Sequence, residues 1–208
     1  MAKEDDIESW FLKYQDMDRD DGKNMIAPEG FEKLCETLGY DIEDIKPMVL
    51  LWKLNGLELG TIEYTGWEKG LREMKAKNED ELRKAIDDTL KGFDKDPAQF
   101  KAFYRRLFDY LLVEKQKFVS SEYATAMLSL VKDKGWVFSK FVEFLEANKD
   151  DVKVINRDQW QSLLEMSRVI KPDLSNYSKE DAWPGLFDRF VDWFEQSSNN
   201  NAAAADAK

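Results

Sequence analysis

Helical periodicity is the feature of this sequence that most restricts its fold. Apolar residues recur at spacings of three and four along nearly the whole chain. One broad stripe of this kind contains Phe100, Phe103, Tyr104, Leu107, Phe108 and Leu111. Asn78 and Asn156 stand where helix N-caps are expected, and only the segments 23–27 and 60–64 have strand character. The pattern predicts an all-α fold of about ten helices in one compact domain, with one small two-stranded pairing.

The last helix is expected within the aromatic segment 176–194. Glu180 or Asp181 can cap it, which would place Ala182, Trp183 and Pro184 in its first turn, where proline removes no helical hydrogen bond. Its buried side would then consist of five apolar residues: Leu186, Phe187, Phe190, Val191 and Phe194.

Two aspartates on this last helix need an explanation. Asp188 and Asp192 would share the face opposite the apolar residues, one turn apart. They are either the ordinary solvated side of a terminal helix or a surface on which a basic molecule docks. Ala182 is small among large neighbours and leaves a flat spot where a side chain of a partner could lie.

The absence of histidine and the single cysteine exclude several kinds of chemistry. Nucleophile activation by histidine and zinc sites built from Cys and His are both impossible. Cys35 shares a helical face with Phe31, Leu34 and Leu38, and we expect a buried thiol there. No glycine-rich phosphate loop is present, and adjacent acidic residues have no framework that would pair them for acid–base work. We therefore expect no enzyme activity, no cofactor and no bound metal.

The net charge of −11 restricts the possible partners. An acidic surface disfavours nucleic acid and anionic membranes and favours a basic protein partner or a cation. The first residues contain no apolar run typical of a signal peptide, and no segment approaches the length of a membrane span. We expect a soluble protein of the cytoplasm, the nucleus or both. Residues 1–7 are expected to be flexible and residues 196–208 disordered.

The acidic segment 16–29 resembles a calcium-binding loop. Counting from Asp18 places Met25 at position eight and Glu29 at position twelve, but position six, which requires a sharp turn, holds Lys23 instead of glycine. Counting from Asp16 gives three aspartates at positions one, three and five but no acid at position twelve. Neither frame supplies a complete set of ligands.

A second loop of the same kind begins at Asn55. Gly60 then falls at position six and Ile62 at position eight, while apolar residues occupy ligand positions, so this loop cannot chelate. We interpret the two segments as paired EF-hand-like loops that have lost metal. Two unrelated acidic loops, and a calcium-binding helical adaptor that uses the first loop, remain as alternatives.

Four segments give the chain a family resemblance: LLWKLNG, FKAFYRRLFDYL, VINRDQWQSLLEMSRVI and DLSNYSKEDAWPGLFDRFVDWF. They are similar to the potentiating-neddylation domain of the defective-in-cullin-neddylation (DCN-like) proteins. The resemblance covers residues 8–195. It implies an all-helical domain with an EF-hand-like half, about 8–92, and a cullin-binding half, about 93–195.

The resemblance also implies a function without a catalytic residue. Members of this family act as accessory ligases, which hold a cullin beside a conjugating enzyme charged with the ubiquitin-like cullin modifier. The family's acidic patch receives basic residues of the C-terminal winged-helix region of the cullin, and its pattern falls here on Asp158, Ala182 and Asp188. In this interpretation the last helix keeps its acids because a basic surface docks on them.

A second family site is an apolar pocket for the acetylated N-terminal Met of the conjugating enzyme, with the helix that follows docked in a groove. The positions that match its lining are Leu50, Leu51, Ile62, Tyr110, Met127 and Leu130. Pro47, Met48, Leu59 and Gly60 depart from the usual family pattern, which implies a pocket of altered shape.

Overall fold

The computed structural model describes residues 4–15, 24–113 and 116–206. The helices of these residues are α1 (Glu4–Phe11), α2 (Pro28–Leu38), α3 (Ile45–Lys53), α4 (Tyr64–Met74), α5 (Glu79–Gly92), α6 (Pro97–Leu111), α7 (Ser121–Ser129), α8 (Trp136–Ala147), α9 (Arg157–Val169) and α10 (Gly185–Asp206). The strands are β1 (Met25–Ile26), β2 (Ile62–Glu63), β3 (Phe118–Ser120) and β4 (Val154–Asn156). The expected all-α class with about ten helices is confirmed.

The chain divides into two compact units, the first ending at Leu111 and the second beginning at Leu112. Helices α1–α6 and the pair β1–β2 belong to the first unit. Helices α7–α10 and the pair β3–β4 belong to the second.

The pairing expected between the two loops of the first unit is confirmed, in a register that differs by one residue from the loop counting. β1 and β2 are antiparallel, and Ile26 lies opposite Ile62. Counting from Asp18 and Asn55 instead makes Met25 the equivalent of Ile62, so those two frames do not correspond to each other. Residues 16–23, which include most of the first acidic loop, lie outside the described residues.

Helix α4 approaches the end of α3 through two glycines. A Cβ atom added at Gly70 would lie 2.8 Å from the Cα atom of Leu54, and one added at Gly66 would lie 2.9 Å from the carbonyl oxygen of Leu54. Because both obstacles are backbone atoms, only glycine permits this spacing. Trp67 lies between these two glycines in α4 and is fully buried. Its indole N–H donates to the carbonyl of Ile7 in α1 at 3.3 Å.

In the second unit, helix α8 carries the aromatic core. Both α9 and α10 contact it. The ring of Phe141 lies 5.7 Å from that of Phe187 and 5.3 Å from that of Phe190, and Phe144 adds a contact of 5.6 Å with Phe190. These ring pairs hold the first turns of α10 on α8, which fixes the direction in which the acids of α10 point.

The pair β3–β4 was not expected from the sequence. The strands are antiparallel, with Val119 opposite Ile155, and both of these side chains are buried. Each strand has three residues, which is too short for the alternation by which strands are identified in a sequence.

The last helix starts later than expected. It begins at Gly185 and not near Asp181, because helical backbone angles are disfavoured for Trp183, the residue before Pro184. At the start of the chain, α1 begins at Glu4 and Ile7 is buried. At the other end, α10 continues to Asp206 through a run of alanines, the strongest helix formers. The flexible start at residues 1–7 and the disordered tail at residues 196–208 stay predictions.

No helix in the described ranges is both long enough and apolar enough to cross a lipid bilayer. Within those same ranges, no three acidic or cysteine side chains are grouped so that they could hold a metal ion.

Candidate docking site on the last helix

The loop between α9 and α10 is held in place by its own hydrogen bonds. The side chain of Asn176 accepts from the main-chain N–H of Lys171 at 2.9 Å and donates to the carbonyl of Val169 at 2.7 Å. Leu174 is buried with a φ of 56°, a left-handed conformation that is uncommon for a leucine. The start of the loop is therefore held in one conformation, which fixes where the residues from Tyr177 onward begin.

An aromatic stack connects this loop to α10. The ring of Tyr177 stacks on that of Trp183, with the ring centres 6.4 Å apart and the planes inclined by 25°. The ring centre of Trp183 lies 6.0 Å from that of the buried Phe187. Ala182 precedes this tryptophan and is exposed. The flat spot that the sequence predicts at Ala182 stays a prediction.

Asp188 is half-buried and receives a hydrogen bond from the loop. The hydroxyl of Tyr177 donates to Oδ1 of Asp188 at 2.7 Å. The pKa of Tyr177 is raised by burial, by this hydrogen bond and by the carboxylates of Asp188, Asp192 and Asp181, so the phenol keeps its proton and remains a donor. A neutral donor orients the carboxylate of Asp188 without cancelling its charge.

Asp192, one turn further along α10, has a different partner. The ammonium of Lys179 lies 2.6 Å from its Oδ1 atom, and both side chains are about half exposed. The hydrogen bond to Asp192 raises the pKa of Lys179. Lys179 therefore opposes the charge of Asp192 through a direct ion pair. It acts on Asp188 only at longer range, and the group that hydrogen-bonds Asp188 is neutral.

Asp158 lies in the first turn of α9 and is exposed. The helix start beside it is fixed by a capping box, in which Asn156 accepts from the N–H of Gln159 at 2.8 Å and Gln159 accepts from the N–H of Asn156 at 2.9 Å. The contacts among Tyr177, Trp183 and Asp188 do not include Asp158. The grouping of Asp158 with Ala182 and Asp188 stays a prediction.

The residues predicted for the pocket of the conjugating enzyme fall in both units. Leu50, Leu51, Ile62 and Tyr110 lie in the first unit and are buried. Met127 and Leu130 lie in the second, where Met127 is buried and Leu130 is half-buried. This pocket also stays a prediction.

Tyr110 is the polar member of that set. Its hydroxyl is buried and has no hydrogen-bond partner among the described residues. The guanidinium of Arg106 lies 4.7 Å from the centre of its ring and donates to the carbonyl of Gly56 at 2.6 Å. Burial raises the pKa of Tyr110. A buried hydroxyl without a partner is uncommon in folded proteins and is often satisfied by a ligand or water.

Sequence reasoning assigned no role to Tyr177 or Lys179. Tyr177 lies in the SNY motif that contributes to the resemblance, but its contact with Asp188 spans eleven residues. The contact between Lys179 and Asp192 spans thirteen. Neither spacing follows the helical repeat, because the intervening residues form a loop, and only the motif itself could have drawn attention to Tyr177.

Comparison with known proteins gives consistent matches. A sequence profile described as "Cullin binding" matches residues 81–193. DCN1-like protein 4 of Homo sapiens is 38% identical over 187 residues, which are 89% of this chain and 61% of that protein. DCN1-like protein 4 of Danio rerio is also 38% identical, with 89% and 64% covered. DCN1-like protein 5 of Homo sapiens is 36% identical over 186 residues, with 89% and 75% covered. The chain thus spans about three fifths of the length of DCN1-like protein 4.

Proposed function

Because this chain belongs to the DCN1-like family, we propose that it is a non-catalytic scaffold that promotes the neddylation of a cullin. It binds the cullin on the second unit and the charged conjugating enzyme at a separate apolar site. The comparisons lend no support to the alternative of a calcium-binding adaptor.

The observation that carries the cullin-binding proposal is the state of Asp188. Its carboxylate is half-buried, oriented by the neutral hydroxyl of Tyr177 and close in sequence to the exposed Ala182. A partly desolvated carboxylate whose charge is not cancelled is a strong acceptor for a lysine or arginine side chain. The partner surface that we propose is the C-terminal winged-helix region of the cullin, with Asp158 as a second acidic contact.

For the conjugating enzyme we propose binding through its acetylated N-terminus. The buried hydroxyl of Tyr110 lies in a side chain that packs against the guanidinium of Arg106, and it has no hydrogen-bond partner among the described residues. It supports this proposal, because the backbone of an inserted peptide has groups that could pair with it. In this proposal three buried apolar residues of the first unit would take up the N-terminal Met: Leu50, Leu51 and Ile62.

The chemical contribution of such a scaffold is orientation. If donor thioester and acceptor lysine are held side by side, their encounter becomes nearly intramolecular, which can lower the barrier by about 7–11 kcal/mol at most. The chain's own groups are poorly suited to the reaction itself. It has no histidine, and its one thiol, Cys35, is buried with a pKa raised to about 12, so Cys35 is not suited to carry a thioester.

Variants that reverse or remove one acidic charge test the cullin-binding surface. We expect Asp188→Lys and Asp158→Ala to weaken binding to a cullin C-terminal fragment, with a loss of about 2–5 kcal/mol at the half-buried Asp188 and less at the exposed Asp158. Calorimetric titration measures the affinity, and circular dichroism checks that each variant is folded.

Asp133→Lys is the matched control for this titration. Asp133 is an exposed acid on the 3₁₀ turn between α7 and α8, and its reversal changes the net charge by the same amount as Asp188→Lys. We expect the control to bind within about twofold of the wild type. Equal binding by Asp188→Lys and the wild type would falsify the assignment of the acidic site.

A further inference from the structure

The two acids on the outer face of α10 are engaged in different ways. Asp188 and Asp192 are four residues apart and so are neighbours on the helix. Asp188 accepts a hydrogen bond from a neutral phenol, and Asp192 is paired with an ammonium. Both partners, Tyr177 and Lys179, come from the loop that precedes the helix.

We propose that this loop selects which aspartate receives the basic side chain of a partner. Tyr177 positions Asp188 as the acceptor, and the ion pair with Lys179 keeps Asp192 from accepting a second cation. The proposal rests on the proposed function and concerns the same surface. In this proposal Tyr177 is a positioning residue, and Lys179 makes the surface selective by limiting the number of cations that it accepts.

Three contacts restrict Tyr177. Its main-chain N–H donates to the carbonyl of Leu174 at 2.9 Å, its ring stacks on Trp183, and its hydroxyl reaches Oδ1 of Asp188. A carboxylate held through one oxygen loses much of its freedom to rotate, and its other oxygen remains as an acceptor. The entropy that would otherwise be lost when a cationic side chain binds is therefore already lost in the free protein.

Lys179 acts in the opposite direction. Its neighbours form a tight turn, in which Ser178 accepts the N–H of Glu180 through Oγ at 3.1 Å and the N–H of Asp181 through its carbonyl at 3.2 Å. The ammonium lies 2.6 Å from Oδ1 of Asp192, so a lysine or arginine of a partner would have to approach the other oxygen, directly beside this cation. A second cation there meets a like charge, so the partner gains little from Asp192.

The proposal makes the surface selective for one cationic contact. A partner with two cations spaced one helical turn apart gains no second ion pair while Lys179 is in place. Removal of the Lys179 charge should therefore add a binding contact, an outcome that is unusual for a residue within a docking surface.

The test uses the full chain and a cullin C-terminal fragment in calorimetric titrations. We expect Tyr177→Phe to weaken binding about fivefold, because the carboxylate loses its orienting donor. In an Asp188→Asn background the same change should have no further effect, since there is no charged acceptor left to position.

Lys179→Met should strengthen binding about threefold by releasing Asp192. The double variant Lys179→Met, Asp192→Asn should return to the affinity of the wild type. A purely structural role for Lys179 predicts a loss of affinity or no change, so a gain that depends on Asp192 separates the two interpretations. Lys179 is exposed, so Lys179→Met is expected to remain folded, and thermal unfolding checks this for each variant.

Different results would contradict the proposed function and the role of the loop. If the wild type does not bind the cullin fragment, the proposed function and this inference are both wrong. If the wild type binds and Asp188→Lys does not, while Tyr177→Phe and Lys179→Met match the wild type, the docking site stands and the role of the loop is overturned.

Discussion

At the scale of single residues, the surroundings decide what a side chain can do. Asp188 and Asp192 have the same chemistry and neighbouring places on one helix. A hydroxyl donor leaves the first as a charged, oriented acceptor, and an ammonium opposes the second. The number of acids in the sequence therefore overstates the number of acceptors that a basic partner meets.

Cys35 shows the same dependence on surroundings. Its thiol is buried, 2% exposed, and burial, with a smaller effect of the Glu32 carboxylate, raises its pKa to about 12. Because the thiolate is the reactive form, only about one thiol in ten thousand is ionised at pH 8. We expect no alkylation of the native protein by iodoacetamide over an hour at pH 8, measured by intact mass.

Two samples control this measurement. The same protein in denaturant should alkylate within minutes. The variant Ala147→Cys, with a thiol at an exposed position at the end of α8, should gain one adduct under native conditions while Cys35 stays unmodified. Rapid native alkylation at Cys35 would mean that α2 opens frequently, which its burial does not predict.

At the scale of elements, helices were predictable and their ends were less so. The apolar spacing of α6 and the N-caps Asn78 and Asn156 follow from short-range rules, and both caps are confirmed, accepting from main-chain N–H groups at 2.9 and 2.8 Å. The start of α10 at Gly185 was missed, because Pro184 is compatible with a first turn but restricts the residue before it.

The site was predictable only in part. Asp188 could be named because a family motif contains it. The pairing of Tyr177 with Asp188 and of Lys179 with Asp192 depends on the course of a loop, and that course is fixed by hydrogen bonds such as those of Asn176. Contacts across a loop have no periodicity, so the different engagement of the two acids could not be inferred from spacing.

The approach of α4 to the end of α3 gives a test in which two effects oppose each other. Helix propensity alone favours Gly70→Ala by about 1 kcal/mol. The new methyl group, however, would lie 2.8 Å from the Cα atom of Leu54, and backbone cannot move aside as a side chain can. We expect overpacking to dominate, with a net loss of about 1–3 kcal/mol in the free energy of unfolding, measured by urea denaturation.

Gly185→Ala is the control for this substitution. Gly185 also lies in a helix, but a Cβ atom there would meet nothing within 4 Å. We expect this variant to be as stable as the wild type or more stable by a few tenths of a kcal/mol. Stabilisation by Gly70→Ala would show that α3 and α4 are not packed as closely as the structure has them.

At the scale of the whole molecule, the net charge of −11 adds a long-range attraction for a basic partner. This attraction acts mainly on the association rate, because it steers the encounter before the specific contacts form. Salt screens it, since the Debye length falls from about 10 Å at 0.1 M to about 3 Å at 1 M ionic strength. A contact of a partner cation with the half-buried Asp188, as proposed above, would be short-range and should be screened less.

The last prediction separates the effect of the whole acidic surface on the association rate from the effect of Asp188 on the dissociation rate. We expect the association rate with a cullin C-terminal fragment, measured by stopped-flow fluorescence, to fall at least tenfold between 0.1 M and 1 M salt. The dissociation rate should change only about twofold to threefold over the same range.

The variant Asp188→Asn should show the opposite effect. At a fixed salt concentration we expect it to dissociate much faster than the wild type, with an association rate within about threefold of the wild-type rate. The net charge of that variant is still −10, one less negative than the −11 of the wild type, so steering is largely preserved while the acceptor is lost. An association rate that does not depend on salt would show that the acidic surface has no part in bringing the partner to the site.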